Sequence, residues 1–348
     1  MEVYNYLVNS GCYDIFDSIY AKNLEIFASN YKQANLLTQG NRYRAKLVIW
    51  GYLFSGEEEF DKNCSYICDV ASAIEFIHKA SLIIDDIIDN DSMRYGKPAF
   101  HCQFSVNEAI VFSINMLGYA IKLINEAIGN LRVDYPHILQ INTRLSDIIV
   151  SMSTGALQEM NMKNLSYDEM KQLIILQTSK IISNALVIGY LSGKSINDEV
   201  VEILDKIGEK CGFIYQIFND LEPIFNAEFN KIHKGKVNYD LEKNRKNIIS
   251  IFDKNEADAM PLEVKKQRIF KIVREEVEEI YLLIDKLPAF CESEVWIKNF
   301  SMFFSNILAW GAKRASLGNA ISSVSYCKYP TVMEPSDREG QSKVLNRG

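Results

Sequence analysis

The sequence predicts an all-α protein built as one helical domain, and three observations carry that prediction. Apolar residues recur at three- and four-residue intervals over long stretches. No run alternates apolar and polar residues between hairpin-type turns. No unit of roughly 20–50 residues repeats, which sets aside solenoids and propellers. The elements follow in order. Ala71, Ile74, Ile77, His78, Ser81 and Leu82 form one helical stripe. Leu173, Ile174, Thr178, Ile181, Ile182, Leu186 and Ile188 form a second, and Val200, Ile203, Leu204, Ile207, Ile214 and Ile217 a third. Pro98, Pro136, Pro223, Pro261 and Pro288 fall between or at the ends of such runs, where proline is tolerated. Several helices read apolar around much of their circumference, so the core is expected to be large and to enclose some of them. No Gly/Ser/Pro-rich linker interrupts the chain before about residue 325. Residues 1–325 are therefore expected to form the helical domain, and the polar residues 326–348, with Pro330 and Pro335, a mobile tail.

Composition narrows the function classes. Of 348 residues, 45 are Asp or Glu and 38 Lys or Arg, for a net charge of -7, which argues against non-specific nucleic-acid binding. The seven cysteines are scattered and odd in number; Cys64 and Cys68 are followed by no second pair at zinc spacing. A reduced, cytoplasmic setting is the expectation. The N-terminal MEVYNYLVNS lacks the basic start of a secretory signal. The apolar stretch Ala109–Ile124 is interrupted by Ser113, Asn115 and Lys122 and is short for a bilayer, so no transmembrane segment is expected.

The segment IHKASLIIDDIIDNDSMRYGKPAFH, Ile77 to His101, concentrates the chemistry. Asp85, Asp86 and Asp89 lie at i, i+1 and i+4, which stacks Asp85 and Asp89 one turn apart on a helix face. Like charges so placed repel unless something positive sits between them. Hard carboxylate oxygens suit Mg²⁺, which keeps several waters and is completed by substrate phosphate. A solvated acidic helix face is the plain alternative. Arg94, Gly96 and Lys97 follow within reach of a phosphate and favour the metal reading.

This segment resembles the first aspartate-rich motif of the trans-isoprenyl diphosphate synthases (the polyprenyl synthetase family), in which DDxxD precedes a basic pair and a glycine. Further elements follow in the family's order. GNRYRA, Gly40 to Ala45, resembles its GKRxRP element, and His78 falls at its His before the first motif. TGALQEM, Thr154 to Met160, resembles its mid-chain Gly-Gln element, and QTSK, ending at Lys180, its Lys-Thr. QIFND, Gln216 to Asp220, resembles its FQxxDD, and KGKVNYDLEKNR, Lys234 to Arg245, its closing lysine loop. The resemblance covers roughly residues 20 to 315.

The resemblance implies an isoprenoid-synthase helical bundle with a central cavity, usually a homodimer. It further implies two or three Mg²⁺ ions bridging carboxylates to an allylic diphosphate. The metal ligands would be Asp85, Asp86, Asp89, Asn219 and Asp220. Arg94, Lys180, Lys236 and Arg245 would bind the allylic diphosphate, with Gln216 beside them; Arg42, Arg44 and His78 would serve the second substrate. Asp85, Asp86, Asp89, Lys180 and Lys236 would carry the chemistry. Departure of diphosphate leaves a carbocation and a charged anion, so metal and cations are needed on one side and a dry apolar cavity on the other.

Several positions depart from the family pattern. The second motif reads Asn219, Asp220, Leu221, Glu222, Pro223, so its leading carboxylate is a neutral amide and its last a proline. At the site for isopentenyl diphosphate the corresponding residues are Asn41, Arg44, His78 and Tyr95, two of which lack the family's charge. At about 1.5–3 kcal/mol per charge-assisted contact, that loss weakens the site by several kcal/mol unless Arg42 or Lys97 compensates. Ala156 stands for the usual Gln of the mid-chain element, leaving Glu159 as its acid, and Ile181 for the Thr after Lys180.

The leading expectation is a Mg²⁺-dependent prenyltransferase that ionises an allylic diphosphate and alkylates an acceptor other than isopentenyl diphosphate. A chain-elongating synthase with a tolerant site is part of the same reading. Two others stand beside it: a class I terpene cyclase acting on one prenyl diphosphate, and a non-catalytic partner subunit. The small Ala80 and Ser81, one turn before Asp85, favour a C15 or C20 donor, although small residues serve helix packing equally well. His101, His137 and His233 have no partner at metal or triad spacing and read as surface or satisfied loop histidines. Phe300, Phe303, Phe304 and Trp310 read as core, Lys313 and Arg314 as a helix C-terminus, and Glu275 to Glu279 as a solvated face. No nucleophile–base pair or P-loop is present.

Overall fold

The computed structural model describes residues 12–28, 35–55, 65–130, 134–162, 165–225, 247–248, 261–287, 301 and 304–305. The described chain runs α1 (Cys12–Phe27), α2 (Asn35–Thr38), α3 (Tyr43–Phe54), α4 (Ser65–Ile88), β1 (Met93–Arg94), β2 (Lys97–Pro98), α5 (Phe100–Gln103), α6 (Val106–Ile128), α7 (Tyr135–Asn161) and α8 (Tyr167–Ile174). It continues through a π-helical segment (Ile175–Ser179), α9 (Lys180–Leu191), α10 (Asp198–Phe225) and α11 (Leu262–Ile284). Side chains start several of these helices. The Ser105 hydroxyl accepts from the Glu108 N–H at α6, and the Asp134 carboxylate from the His137 N–H at α7. Ser166 and Glu169 form a reciprocal capping box at α8, satisfying two of the free N–H groups of its first turn.

The all-α expectation is borne out, and so is the enclosed core. In α4, Ile67, Val70, Ala71, Ile74, Phe76, Ile77, Ala80 and Ile83 are all buried, and the helix packs against α1, α3 and α6. In α9 every residue from Ile181 to Leu191 is buried, between α3, α7 and α10. The α3–α9 crossing brings backbone against backbone. A Cβ on Gly189 would lie 2.0 Å from the Val48 carbonyl oxygen, and one on Gly51 would lie 1.9 Å from that of Leu186. Only glycine fits at this reciprocal contact.

Two local features depart from the sequence reading. The first is a short hairpin, in which Met93 pairs with Pro98 and Arg94 with Lys97, antiparallel. Its loop residues Tyr95 and Gly96 have φ of 52° and 73°, the two positive values a type I′ turn requires. With a tyrosine in the first loop position, the usual Asn-Gly signal was absent. The second is the π segment, across which the Lys180 N–H bonds the Ile175 carbonyl five residues back, so that α8 and α9 run on as one helix. That continuous helix, Tyr167–Leu191, is the one stretch among the described residues long and apolar enough to cross a membrane. It passes that test where Ala109–Ile124 does not, but 78% of its window is buried inside the protein, as in a core helix.

Candidate active site

α4 ends in the three aspartates, and the structure separates them. Asp85 and Asp89 are exposed and stand one turn apart, the Asp89 N–H bonding the Asp85 carbonyl at 2.8 Å. Asp86 is fully buried. The β1–β2 hairpin turns the chain back, so that Arg94 reaches Asp86 from eight residues downstream. The Arg94 Nε donates to both carboxylate oxygens, at 2.9 and 3.2 Å, and a terminal nitrogen donates to Oδ1. A buried carboxylate so gripped is a structural anchor for the loop.

Asp85 holds its proton to an unusually high pH. Although its side chain meets solvent, the protein around it strips water from the charged form, which is the largest influence on its pKa of about 7. Arg94 opposes the rise, and Asp89, Asp86 and Glu159 add to it. The spot has excess negative charge, the environment that attracts a hard cation.

On α10, Asn219 and Asp220 are half-buried. Asp220 accepts from the Gln216 amide at 2.8 Å and from the Ile248 N–H at 3.0 Å. Gln216 in turn accepts from the Thr178 hydroxyl at 3.0 Å. Glu222 is buried. Lys180 is drawn to Glu209 of α10. It is Gln177, within the π segment, whose amide donates to Glu159 at 2.8 Å. Gln177 and Thr178 thus join the mid-chain element to the second motif, a connection the π segment creates and residue counting does not reveal.

The basic residues near the start of α3 divide in two. Arg42, itself at φ 50°, bonds Asp17 at 3.2 Å and the Thr38 carbonyl and lies 5.1 Å from the Tyr20 ring centroid. Its terminal nitrogens are thus engaged by the fold. Arg44 lies 3.0 Å from His78 Nε2 and 5.6 Å from the Tyr215 ring centroid of α10. Burial, then the charges of Arg44, Lys79 and Arg94, hold the His78 pKa well below its ordinary value, so the imidazole is neutral and Nε2 accepts from Arg44. Beside it, Lys79 and Glu75 form a buried pair at 3.5 Å that the sequence reading passed over. Two opposite charges four apart in an otherwise apolar run were the available signal.

Lys236 and Arg245 lie outside the described residues, as do His233, Phe300, Phe303, Trp310, Lys313, Arg314 and the segment 326–348. His137 is satisfied by Asp134, whereas His101 is half-buried with Nδ1 unpartnered. Among the described residues, no three His, Cys, Asp or Glu side chains are close enough to hold a metal by themselves.

Comparisons with known proteins identify the family. The polyprenyl synthetase family profile matches residues 27–284. A farnesyl diphosphate synthase of Buchnera aphidicola is 24% identical over 232 residues, 65% of this chain and 76% of that protein. A geranylgeranyl diphosphate synthase of Saccharolobus solfataricus is 29% identical over 191 residues, 54% of this chain and 56% of that protein. The crystal structure of heptaprenyl diphosphate synthase from Staphylococcus aureus superposes with a TM-score of 0.68 at 19% identity, covering 88% of this chain and 98% of that one. A Helicobacter pylori geranyltransferase, solved with magnesium and isoprenyl diphosphate, gives 0.64 at 20% identity over 84% of this chain and 97% of its own. The profile match takes in the first aspartate motif, the π segment and α10 together, and on it the chain belongs to the polyprenyl synthetase family of prenyltransferases.

Proposed function

We propose that the protein ionises an allylic isoprenyl diphosphate with the help of Mg²⁺ and transfers the prenyl group to a second substrate. The observation that carries this reading is the state of Asp85, a solvent-facing carboxylate whose charged form is penalised by desolvation and by neighbouring carboxylates. Such a group gains most from a hard cation. Asp85 and Asp89 supply two oxygens one turn apart; diphosphate and water complete the coordination, which suits a metal with no all-protein cage. Two or three ions are the expected number. Bound there, Mg²⁺ would neutralise the departing diphosphate as a Lewis acid.

The chain's own residues do the rest. Asn219 and Asp220 approach from α10, Asp220 giving up its bonds to Gln216 or Ile248 when it takes part. Arg94 shares its guanidinium between Asp86 and phosphate, and Asp86 reaches metal only as Arg94 lets go. Lys180 must exchange Glu209 for phosphate. Lys236 and Arg245 are proposed as further phosphate contacts on the family resemblance. The small side chains of Ala80 and Ser81, one turn before Asp85, support a C15 or C20 donor.

For the acceptor, Arg44 with neutral His78 makes an anion-seeking corner, which favours an acceptor carrying its own phosphate. Isopentenyl diphosphate is the test case, with affinity weakened at Asn41 and Tyr95. A homodimer is supported by two solvent-facing apolar stripes, Ile110, Val111, Ile114 and Ile121 on α6 and Leu139, Val150 and Leu157 on α7. Cys102 and Cys211, free thiols among the described residues, suit a reducing cytoplasm.

The experiment is diphosphate release with Mg²⁺ and C10, C15 or C20 allylic diphosphate, with and without isopentenyl diphosphate, and mass spectrometry of the products. A longer prenyl diphosphate supports the reading. Hydrocarbon or alcohol from one substrate alone makes the protein a cyclase, and no release from any donor overturns the assignment.

A further inference from the structure

Lys79 has no part in the mechanism above, yet it is placed with unusual care. It sits in the apolar middle of α4 with its side chain 1% exposed. An ammonium buried this way is costly unless it is paired and hydrogen-bonded. Its Nζ donates to the Gln39 carbonyl at 2.5 Å and lies 3.5 Å from Glu75 Oε1. The other Glu75 oxygen is buried without a hydrogen-bond partner, and Lys79 is the cation paired with this carboxylate. The Tyr95 ring centroid is 5.4 Å from Nζ, and the Cβ position of Gly40 is 3.1 Å from it.

The ammonium thus presses on the turn from Gln39 to Arg42. Gly40 and Arg42 have φ of 98° and 50° there, and left-handed backbone at an arginine persists only where surroundings hold it. The turn launches α3, which presents Arg44 within its first turn. Three of the charges nearby pair off. Arg42 takes Asp17, Arg94 takes Asp86, and Lys79 takes Glu75. Among the described residues no carboxylate pairs with Arg44. Among the described residues it meets neutral His78 and the Tyr215 ring, and its Nε is buried without a hydrogen-bond partner. Arg42 Nε is orphaned too, but Asp17 holds its guanidinium, whereas Arg44 has an orphan donor and no carboxylate, which marks where an anion is wanted.

We propose that Lys79 is the positioning residue of the second substrate's phosphate site. By bonding the Gln39 carbonyl it locks the turn onto α4, which holds Arg44 and His78 toward the anion. The ammonium also lies 5.4 Å from the Tyr95 ring centroid, so one side chain holds both the hairpin and the Gln39–Arg42 turn to α4. The inference rests on the two-substrate reading above and adds a residue to it.

The test titrates isopentenyl diphosphate into Mg²⁺-free full-length protein by calorimetry, where the metal-dependent allylic site is silent, for the parent, K79M and K79R. Diphosphate release from the allylic substrate alone is measured in parallel with Mg²⁺. K79M is expected to raise the dissociation constant about tenfold, the effect of one charge-assisted contact, and K79R to stay within about threefold of the parent. Allylic release should change less than about twofold, a split that general loss of structure would not produce. If K79M does not fold, K79Q takes its place, keeping a donor for Gln39 without the charge. Parent-like binding by K79M or K79Q, K79R as weak as K79M, proportional loss of both readouts, or no binding by the parent overturns the proposal. If the parent releases no diphosphate from allylic substrates yet binds isopentenyl diphosphate in a Lys79-dependent way, the functional reading fails and this one stands.

Discussion

Replacing Asp85 by Asn should make the metal-free protein more stable while abolishing its chemistry. The Asp85 pKa of about 7, against an ordinary 3.8, means the folded state holds a proton that the unfolded chain releases. Stability from this group is therefore highest at low pH, falls as pH rises from about 4 to about 7, and stays at its minimum above that. The full shift would correspond to about 4 kcal/mol at 1.36 kcal/mol per unit. The side chain is more than a third exposed, and solvent screening reduces the figure to about 1 kcal/mol. D85N removes the penalty and should melt about 2 °C above the parent at pH 8 in EDTA, the gap closing toward pH 4. Added Mg²⁺ should raise the melting temperature of the parent and not of the variant, because ligand binding to the folded state stabilises it. Thermal unfolding at the two pH values, with and without Mg²⁺, reads these effects, and diphosphate release reads the chemistry. A variant that melts at or below the parent at pH 8 in EDTA, or still releases diphosphate, refutes the reasoning.

Four further outcomes are expected. EDTA should abolish diphosphate release and Mg²⁺ restore it, and Asp89→Ala should lose release at any Mg²⁺ concentration; retained turnover would remove the aspartates from the metal site. Arg94→Met leaves fully buried Asp86 without its counter-charge and should cost about 3 kcal/mol in urea unfolding as well as activity. Gly189→Ala drives a methyl into the Val48 carbonyl and should cost about 1–3 kcal/mol, while an unchanged urea midpoint would contradict the close α3–α9 contact. Val111→Asp with Ile114→Asp on α6 should shift the protein from dimer to monomer in sedimentation if that stripe is the interface.

The helical class and the first aspartate motif were legible because they depend on local sequence. Three- and four-residue apolar spacing survives whatever the tertiary context, and the enclosed helices it led one to expect include α4 and α9. What the sequence concealed depends on contacts between distant segments. Asp85 and Asp86 are adjacent in the chain, yet one is solvent-facing and the other is buried against Arg94, because the hairpin folds back on one side of α4 only. Arg42 looked available to replace the charge missing at Asn41, but Asp17 of α1, 25 residues earlier, takes it. Lys180 carries the charge the motif led one to seek, yet the π segment turns Gln177 toward Glu159 and Thr178 toward Gln216, and leaves Lys180 to Glu209. Backbone irregularity of that kind leaves little trace in residue types.

A π segment is one residue too many wound into a helix, and it persists because both ends of the helix are pinned. Downstream, Gly189 must keep its seat against Val48; upstream, the capping box at Ser166 and Glu169 fixes the start. The surplus therefore cannot slide out. This makes Ile175–Ser179 a mutational switch, for deletion of a single codon there would relax the bulge, swing Gln177 and Thr178 off Glu159 and Gln216, and leave the interior almost untouched. A lineage could in this way re-aim the polar wall of its active site in one step, without passing through an unfolded intermediate. A one-residue deletion that kept the parent's melting temperature while changing the product spectrum would display that route.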